Sequence, residues 1–181
     1  MSVLHTLLSR VFPPTHKPIA ELDVGRLVTV RGTVVPRDLM DNPVTGTPCV
    51  YYSYSIQRWR QSRVGGDVFW DITDRDEAIL EFYIDDSSGR AIVAPWRARV
   101  DRTRRIAPAT HELGGERRAQ LLLIEPGDLI EVSAEVVSVA DLYDEGRSYR
   151  ERPERLMLRA PEQNTLTIRL LRKGGAAGRD A

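Results

Sequence analysis

Three kinds of side chain in this sequence could carry chemistry: a lone thiol, carboxylates set close together, and a run of arginines beside a tryptophan. Cys49 is the single cysteine. No neighbouring group would stabilise its thiolate, so it reads as a buried, inert thiol rather than a nucleophile. One cysteine excludes an internal disulfide framework. His5, His16 and His111 are scattered, without an i, i+4 pair or a Cys/His cluster. Neither a metal nor a cofactor is therefore expected. Glu77, Asp85 and Asp86 are candidate paired carboxylates, but Asp85-Asp86-Ser-Ser-Gly89 has the composition of a turn whose carboxylates bond their own backbone. No segment resembles a nucleophile elbow. Catalysis is the weakest reading.

Recognition is the stronger one. Trp96 precedes Arg97, Arg99, Arg102, Arg104 and Arg105, five arginines in nine positions. Such a run can neutralise an anionic partner or stack on bases. It also suits a solvated loop or an edge strand whose charge blocks unwanted pairing. Composition weighs against nucleic acid: 26 basic and 26 acidic residues leave the 181-residue chain with no net charge, where a nucleic-acid-binding domain is usually basic. Lys17 and Lys173 are the only lysines among the 26 basic residues, leaving 24 arginines. A skew of that kind reflects a GC-rich genome better than selection for the guanidinium fork. The contact residues expected from sequence are Tyr51, Tyr52, Tyr54 and Trp59, together with Trp96, Arg97, Arg99, Arg102 and Arg104. Adjacent strand residues point to opposite sides, so some of these tyrosines must face the core.

Strands must position these groups. Arg26–Val35 is β-branched with Gly32 in its middle, which predicts a bulge or bend there. Positions 36–48 read as loop, punctuated by Asn42-Pro43 and Thr45-Gly46-Thr47-Pro48. Cys49–Trp59 is long enough to curve around a barrel, and Gly65-Gly66 turns it back through Val68–Thr73. Ile79–Ile84 and Arg90–Ala94 flank the Asp85–Gly89 turn. Gln120–Ile124, Leu129–Val139, Arg155–Arg159 and Thr165–Leu171 complete eight or nine strands. Polar segments, Arg97–Glu116 and Asp141–Glu154, lie between them. Short strands with Gly/Pro turns and no alternating helices predict an all-β fold, a small OB-like barrel, with a β-sandwich as the alternative.

The ends differ from this middle. Val3, Leu4, Leu7, Leu8, Val11 and Phe12 form one apolar stripe at helical spacing, so residues 1–14 are expected to be a short amphipathic helix stopped by Pro13-Pro14. Its apolar face, Leu4, Leu7, Leu8, Val11 and Phe12, either packs on the domain or docks on a partner or membrane interface. Its polar face holds only Arg10 and His5, weak for lipid. No stretch approaches the ~20 residues that span a bilayer, and no secretory signal is readable. The expectation is a cytoplasmic protein, membrane-peripheral if residues 3–12 touch lipid. Residues 20–172 form the barrel domain and 173–181 a disordered Gly/Ala-rich tail. Gly174-Gly175 looks like the diglycine end of ubiquitin-like modifiers, but chain flexibility explains it.

Three segments together resemble the GIDE-type, or "beside a membrane", domain of the mitochondrial membrane-anchored E3 ubiquitin ligase family. They are Arg31-Gly-Thr-Val-Val-Pro36; Asn42-Pro-Val-Thr-Gly-Thr-Pro-Cys-Val-Tyr-Tyr52; and Phe82-Tyr-Ile-Asp-Asp-Ser-Ser-Gly-Arg-Ala-Ile-Val-Ala-Pro95 with Ile124-Glu-Pro-Gly-Asp-Leu-Ile-Glu-Val132. Their order and spacing match across residues 24–139. The transmembrane helices and zinc-binding RING of that family have no counterpart in this sequence, so ligase activity does not carry over. The resemblance implies a β-rich, OB-like, non-enzymatic module for protein interaction or ligand sensing, an accessory component of a larger system, membrane-associated or devoted to defence or stress. A protein partner is expected. The alternative, a single-stranded nucleic-acid binder, rests on the aromatic platforms and basic grooves of OB-like barrels.

Overall fold

A computed structural model describes residues 16–62, 66–101, 106–140 and 154–174. The expected helix over residues 1–14, with its five interface residues, lies outside them, as do Arg102, Arg104 and residues 175–181. Thirteen strands follow one turn of 3-10 helix at Ile19–Glu21: β1 (Leu27–Pro36), β2 (Met40–Asp41), β3 (Pro48–Cys49), β4 (Tyr51–Gln61), β5 (Val68–Ile79), β6 (Phe82–Asp85), β7 (Arg90–Val93), β8 (Ala98–Asp101), β9 (Ala109–Gly114), β10 (Arg117–Ile124), β11 (Leu129–Ala140), β12 (Glu154–Arg159) and β13 (Leu166–Arg172). Among the described residues no helix is long and apolar enough to cross a membrane.

Five strands close on themselves in the order β1-β6-β7-β12-β11 and back to β1. Numbered by appearance, the ring reads first, second, third, fifth, fourth. Every pairing is antiparallel except β7 with β12. The architecture is all-β, an OB-like five-stranded barrel. Ring closure decides against the sandwich. Gly32 makes closure possible. Beside it, at Thr33, β1 passes from pairing with β11 to pairing with β6, and a Cβ on Gly32 would clash with the Asp85 carbonyl oxygen and stand 2.7 Å from Ile84 Cγ1. The expected bend is therefore a crossing tight enough to exclude any side chain.

Val30, Val34, Phe82, Ile84, Val93, Ile130, Val132, Val136 and Leu158 fill the interior. Full burial of such side chains contributes ~1.5–3 kcal/mol each. Ile19, also buried, docks beside the β6–β7 turn. Its N–H donates to Asp86 Oδ2 at 2.8 Å, and the Ala20 N–H donates to Ser88 Oγ at 3.1 Å. β11 has a split edge: its second half pairs with β12 and its first half with β13, which pairs in turn with β8.

Two insertions interrupt the ring. Residues 37–81 separate β1 from β6, and residues 94–128 separate β7 from β11. They meet in a second, four-stranded sheet ordered β5-β4-β10-β9. Several expectations are corrected here. The aromatic strand expected over Cys49–Trp59 breaks at Val50, whose backbone bonds Ile124 and Leu80; beyond that residue it belongs to the second sheet and does not curve around the barrel. The strand expected over Ile79–Ile84 is two elements, because Leu80 and Glu81 carry the chain from one sheet to the other, with Glu81 paired to Arg37. The polar segment Arg97–Glu116 contains β8 and β9, closed onto β10 by Gly114, Gly115 and Glu116 in left-handed conformations. Lys173 and Gly174, expected to begin the tail, are instead tied to the turn between β10 and β11. Lys173 Nζ donates to Asp128 Oδ2 at 3.0 Å, to Glu125 Oε2 at 2.7 Å and to the Leu123 carbonyl at 2.9 Å. The Gly174 N–H donates to Asp128 Oδ1 at 2.7 Å, and a Cβ on Gly174 would lie 2.6 Å from Gly127 backbone.

Candidate interaction face

Directly opposed residues of an antiparallel pair share a face, so the ladders of the four-stranded sheet sort its side chains into two sets. One face runs outward from the barrel in rows. Tyr51 lies between Ile124 and Ile79; Ser53 between Leu122 and Glu77; Ser55 between Gln120 and Arg75; Gln57 between Arg118 and Ile72; Trp59 opposes Trp70, and Gln61 opposes Val68. Thr73 is the extra residue of a bulge opposite Ile56 and Gln57 and keeps the faces in step on either side of it.

The first row is core: Tyr51 and Ile124 are fully buried. The outermost rows are not. Trp59 is 38%, Val68 47% and Ile72 55% exposed; Phe69, which opposes Arg60, is open on the other face. Trp59 and Trp70 meet edge to face at 4.8 Å between ring centroids. The Arg118 guanidinium lies over the Trp70 ring at 3.9 Å while its Nε donates to Gln57 Oε1 at 2.8 Å. This geometry holds both indoles in place with their apolar surfaces partly in water. A contiguous apolar row of this kind costs solvation unless something covers it. Between core and tip, the rows built on Ser53 and Ser55 leave a furrow of about 470 Å³.

The opposite face carries tyrosines paired with acids. Tyr52 donates to Asp76 Oδ2 at 2.9 Å and Tyr54 to Asp74 Oδ2 at 3.4 Å, with the two rings stacked at 6.1 Å. The hydrogen bond to Asp76, aided by burial, raises the Tyr52 pKa; burial and then Asp74 raise that of Tyr54. On the first face, Tyr51 donates to Glu77 at 3.2 Å. These hydroxyls hold β4 to the acidic stretch of β5.

The residues expected from sequence are thus divided. Tyr51 is core, Tyr52 is buried and Tyr54 is half-buried, so these three support the sheet. Trp59 lies on the exposed row. Trp96 is 80% exposed in the turn between β7 and β8, on a different insertion, and there Arg97 adopts a φ of 57° and donates to the Glu162 carbonyl at 2.7 Å. Arg99 is exposed on β8. Among the described residues, the expected aromatics and arginines do not gather into one patch. Sequence reading missed Val68, Trp70, Ile72 and Arg118. Alternation in Val68–Thr73 was visible, but its apolar side faces outward only because the sheet leaves the barrel.

The other chemical candidates are structural. Burial, reinforced by the Glu125 carboxylate, pushes the Cys49 thiol up to about 11, and Sγ rests on the Met40 carbonyl at 3.5 Å. Asp85 pairs with Arg90 through two 2.6 Å contacts. Asp86 Oδ1 accepts from the Ser88 N–H and hydroxyl and from the Gly89 N–H. Burial alone would raise the Asp86 pKa; its hydrogen bonds outweigh burial and lower it. Buried Asn42 organises the Pro43–Thr47 loop, bonding Val44, Thr45 and Thr47. The Asn42–Tyr52 motif therefore has a folding role. No family model, curated protein or solved structure matches this chain.

Proposed function

We propose that this chain is a non-enzymatic protein-interaction module of GIDE type, an accessory component that engages its partner through the outer face of the four-stranded sheet. The observation carrying this reading is the exposed row Trp59, Trp70, Ile72 and Val68, pre-organised by edge-to-face packing and by Arg118. Rigid aromatic and arginine anchors are the side chains that dominate protein interfaces. Nucleic-acid binding has less support. OB-like barrels bind strands across their second and third strands, which here are β6 and β7. The aromatic residue on that outer surface, Tyr83, is buried beneath Arg90 and Arg155, whose guanidinium carbons stand 5.3 and 5.4 Å from its ring centroid.

The test is quantitative affinity capture from the native host, comparing the chain with a Trp59→Ser/Ile72→Ser variant of unchanged thermal stability. A defined protein recovered with the parent and depleted about tenfold with the variant supports the reading. Equal recovery of every protein by both overturns it.

A further inference from the structure

The furrow between core and tip has a shape and a polarity that narrow what fits it. Its floor is Ser53 and Ser55 on β4, the smallest side chains of that strand; Glu77 and Arg75 of β5 form one wall, and Leu122 and Gln120 of β10 the other. Backbone to backbone, the walls stand two strand spacings apart, roughly 10 Å. An α-helix with side chains measures ~10–12 Å across, too wide once the wall side chains are counted. An extended chain fits.

Polarity agrees with shape. Arg75 and Glu77 project from one strand at a two-residue spacing, about 6.8 Å, so a donor and an acceptor stand side by side. An extended polypeptide repeats its own outward N–H and C=O groups at the same interval. Opposite, Gln120 can donate and accept, while Leu122, 6% exposed at the base of its wall, adds an apolar surface; Pro108 and, on the β5 side, Ile72 also line the furrow. A simple anion is disfavoured, because Glu77 stands beside Arg75 on the same wall. The furrow's ~470 Å³ is within the ~300–1,000 Å³ of binding clefts.

We infer that this furrow holds an extended segment of the partner polypeptide, its backbone met by Arg75, Glu77 and Gln120 and one apolar side chain seated against Leu122. The inference rests on reading this sheet face as a protein-interaction surface. It adds the form of the ligand: strand-like, with an apolar anchor.

A phage-displayed library of random linear peptides, selected on the full chain, tests it. The expected result is enrichment of peptides with a recurring apolar position, whose affinity drops about tenfold in Arg75→Ala and in Ser55→Tyr. Arg75 is exposed, so its variant should fold even if Ser55→Tyr does not. No enrichment over an unrelated protein, or peptides that bind both variants normally, overturns the furrow. If binding is instead lost only in Trp59→Ser, the furrow falls while the apolar row stands as the interface. Self-association abolished by Ser55→Tyr, seen by sedimentation, would overturn it in favour of a second copy of this chain.

Discussion

In the barrel each strand has a neighbour on both sides, whereas in the four-stranded sheet β5 and β9 each have one. The two regions also place apolar residues differently. Barrel strands bury most of theirs, Leu27 at the start of β1 excepted, and their buried charges are engaged, as with Glu131, which accepts from Arg31 at 2.9 Å and Arg169 at 3.1 Å. The distal sheet leaves two tryptophans, a phenylalanine, a valine and an isoleucine at least partly open. Closure therefore constrains nearly every barrel position, and the proposed interaction face lies where the chain escapes closure. Substitutions should separate the regions: large stability effects in the first, binding effects without stability effects in the second.

The largest effect belongs to Gly32. A valine there would place Cβ and two methyls against the Asp85 carbonyl, a backbone atom that cannot move without parting β1 from β6. Gly32→Val should cost ~3 kcal/mol, the upper range for overpacking, or abolish soluble expression. Urea denaturation measures it; an unchanged midpoint would show that β1 does not cross β6 as tightly as described.

Asp128 follows. Its carboxylate, 1% exposed, accepts from the Glu125 and Gly174 N–H groups and from Lys173. Asp128→Ala strands two backbone donors and takes one of three acceptors from Lys173, with an expected cost of ~2–3 kcal/mol. The same variant should free the chain beyond Arg172, read as faster amide exchange at Gly174.

Asp86 gives a pH signature. Its folded-state pKa lies below the ordinary carboxylate value of ~3.9. The unfolded chain thus binds the proton more readily, so the contribution is complete above that ordinary value and is lost as pH falls through the folded one. Asp86→Ala should lower stability at neutral pH by ~1.5 kcal/mol, reflecting its lost hydrogen bonds. It should also flatten the acid limb of the stability–pH curve. Denaturant midpoints followed from neutral pH to about pH 3 check both effects. A limb of undiminished slope would place the acid sensitivity elsewhere.

These positions also mark how far sequence reading reaches. Gly32 and Asp86 were legible because a glycine within a β-branched run and an acid before Ser-Ser-Gly have local explanations. Barrel strands were legible through β-branched density. Strands of the second sheet were legible over Cys49–Trp59, Val68–Thr73 and Gln120–Ile124, but the rest of β5 was not, because it alternates acids that become acceptors only once Tyr52 and Tyr54 lie opposite them. Lys173 and Gly174 read as tail because their partner, Asp128, is 45 residues from Lys173 in the chain. Of the site, Trp59 was anticipated for its type; Ile72 and Arg118 became part of it only through cross-strand register, which no local pattern encodes.

The smallest expected effect is the most informative about the sheet. Ile72 is 55% exposed and faces Gln57 across the strand pair, so serine there removes little buried area. Serine also has a lower β propensity than isoleucine, a difference worth a fraction of the ~1 kcal/mol that the scale spans. Ile72→Ser should therefore shift stability by no more than ~0.5 kcal/mol, as at an ordinary surface site, while solubility rises as the apolar row is interrupted. A loss near 2 kcal/mol would mean instead that Ile72 is buried in solution, by another part of the chain or by a second molecule, and the contrast between a closed barrel and an open sheet would have to be redrawn around whatever covers it.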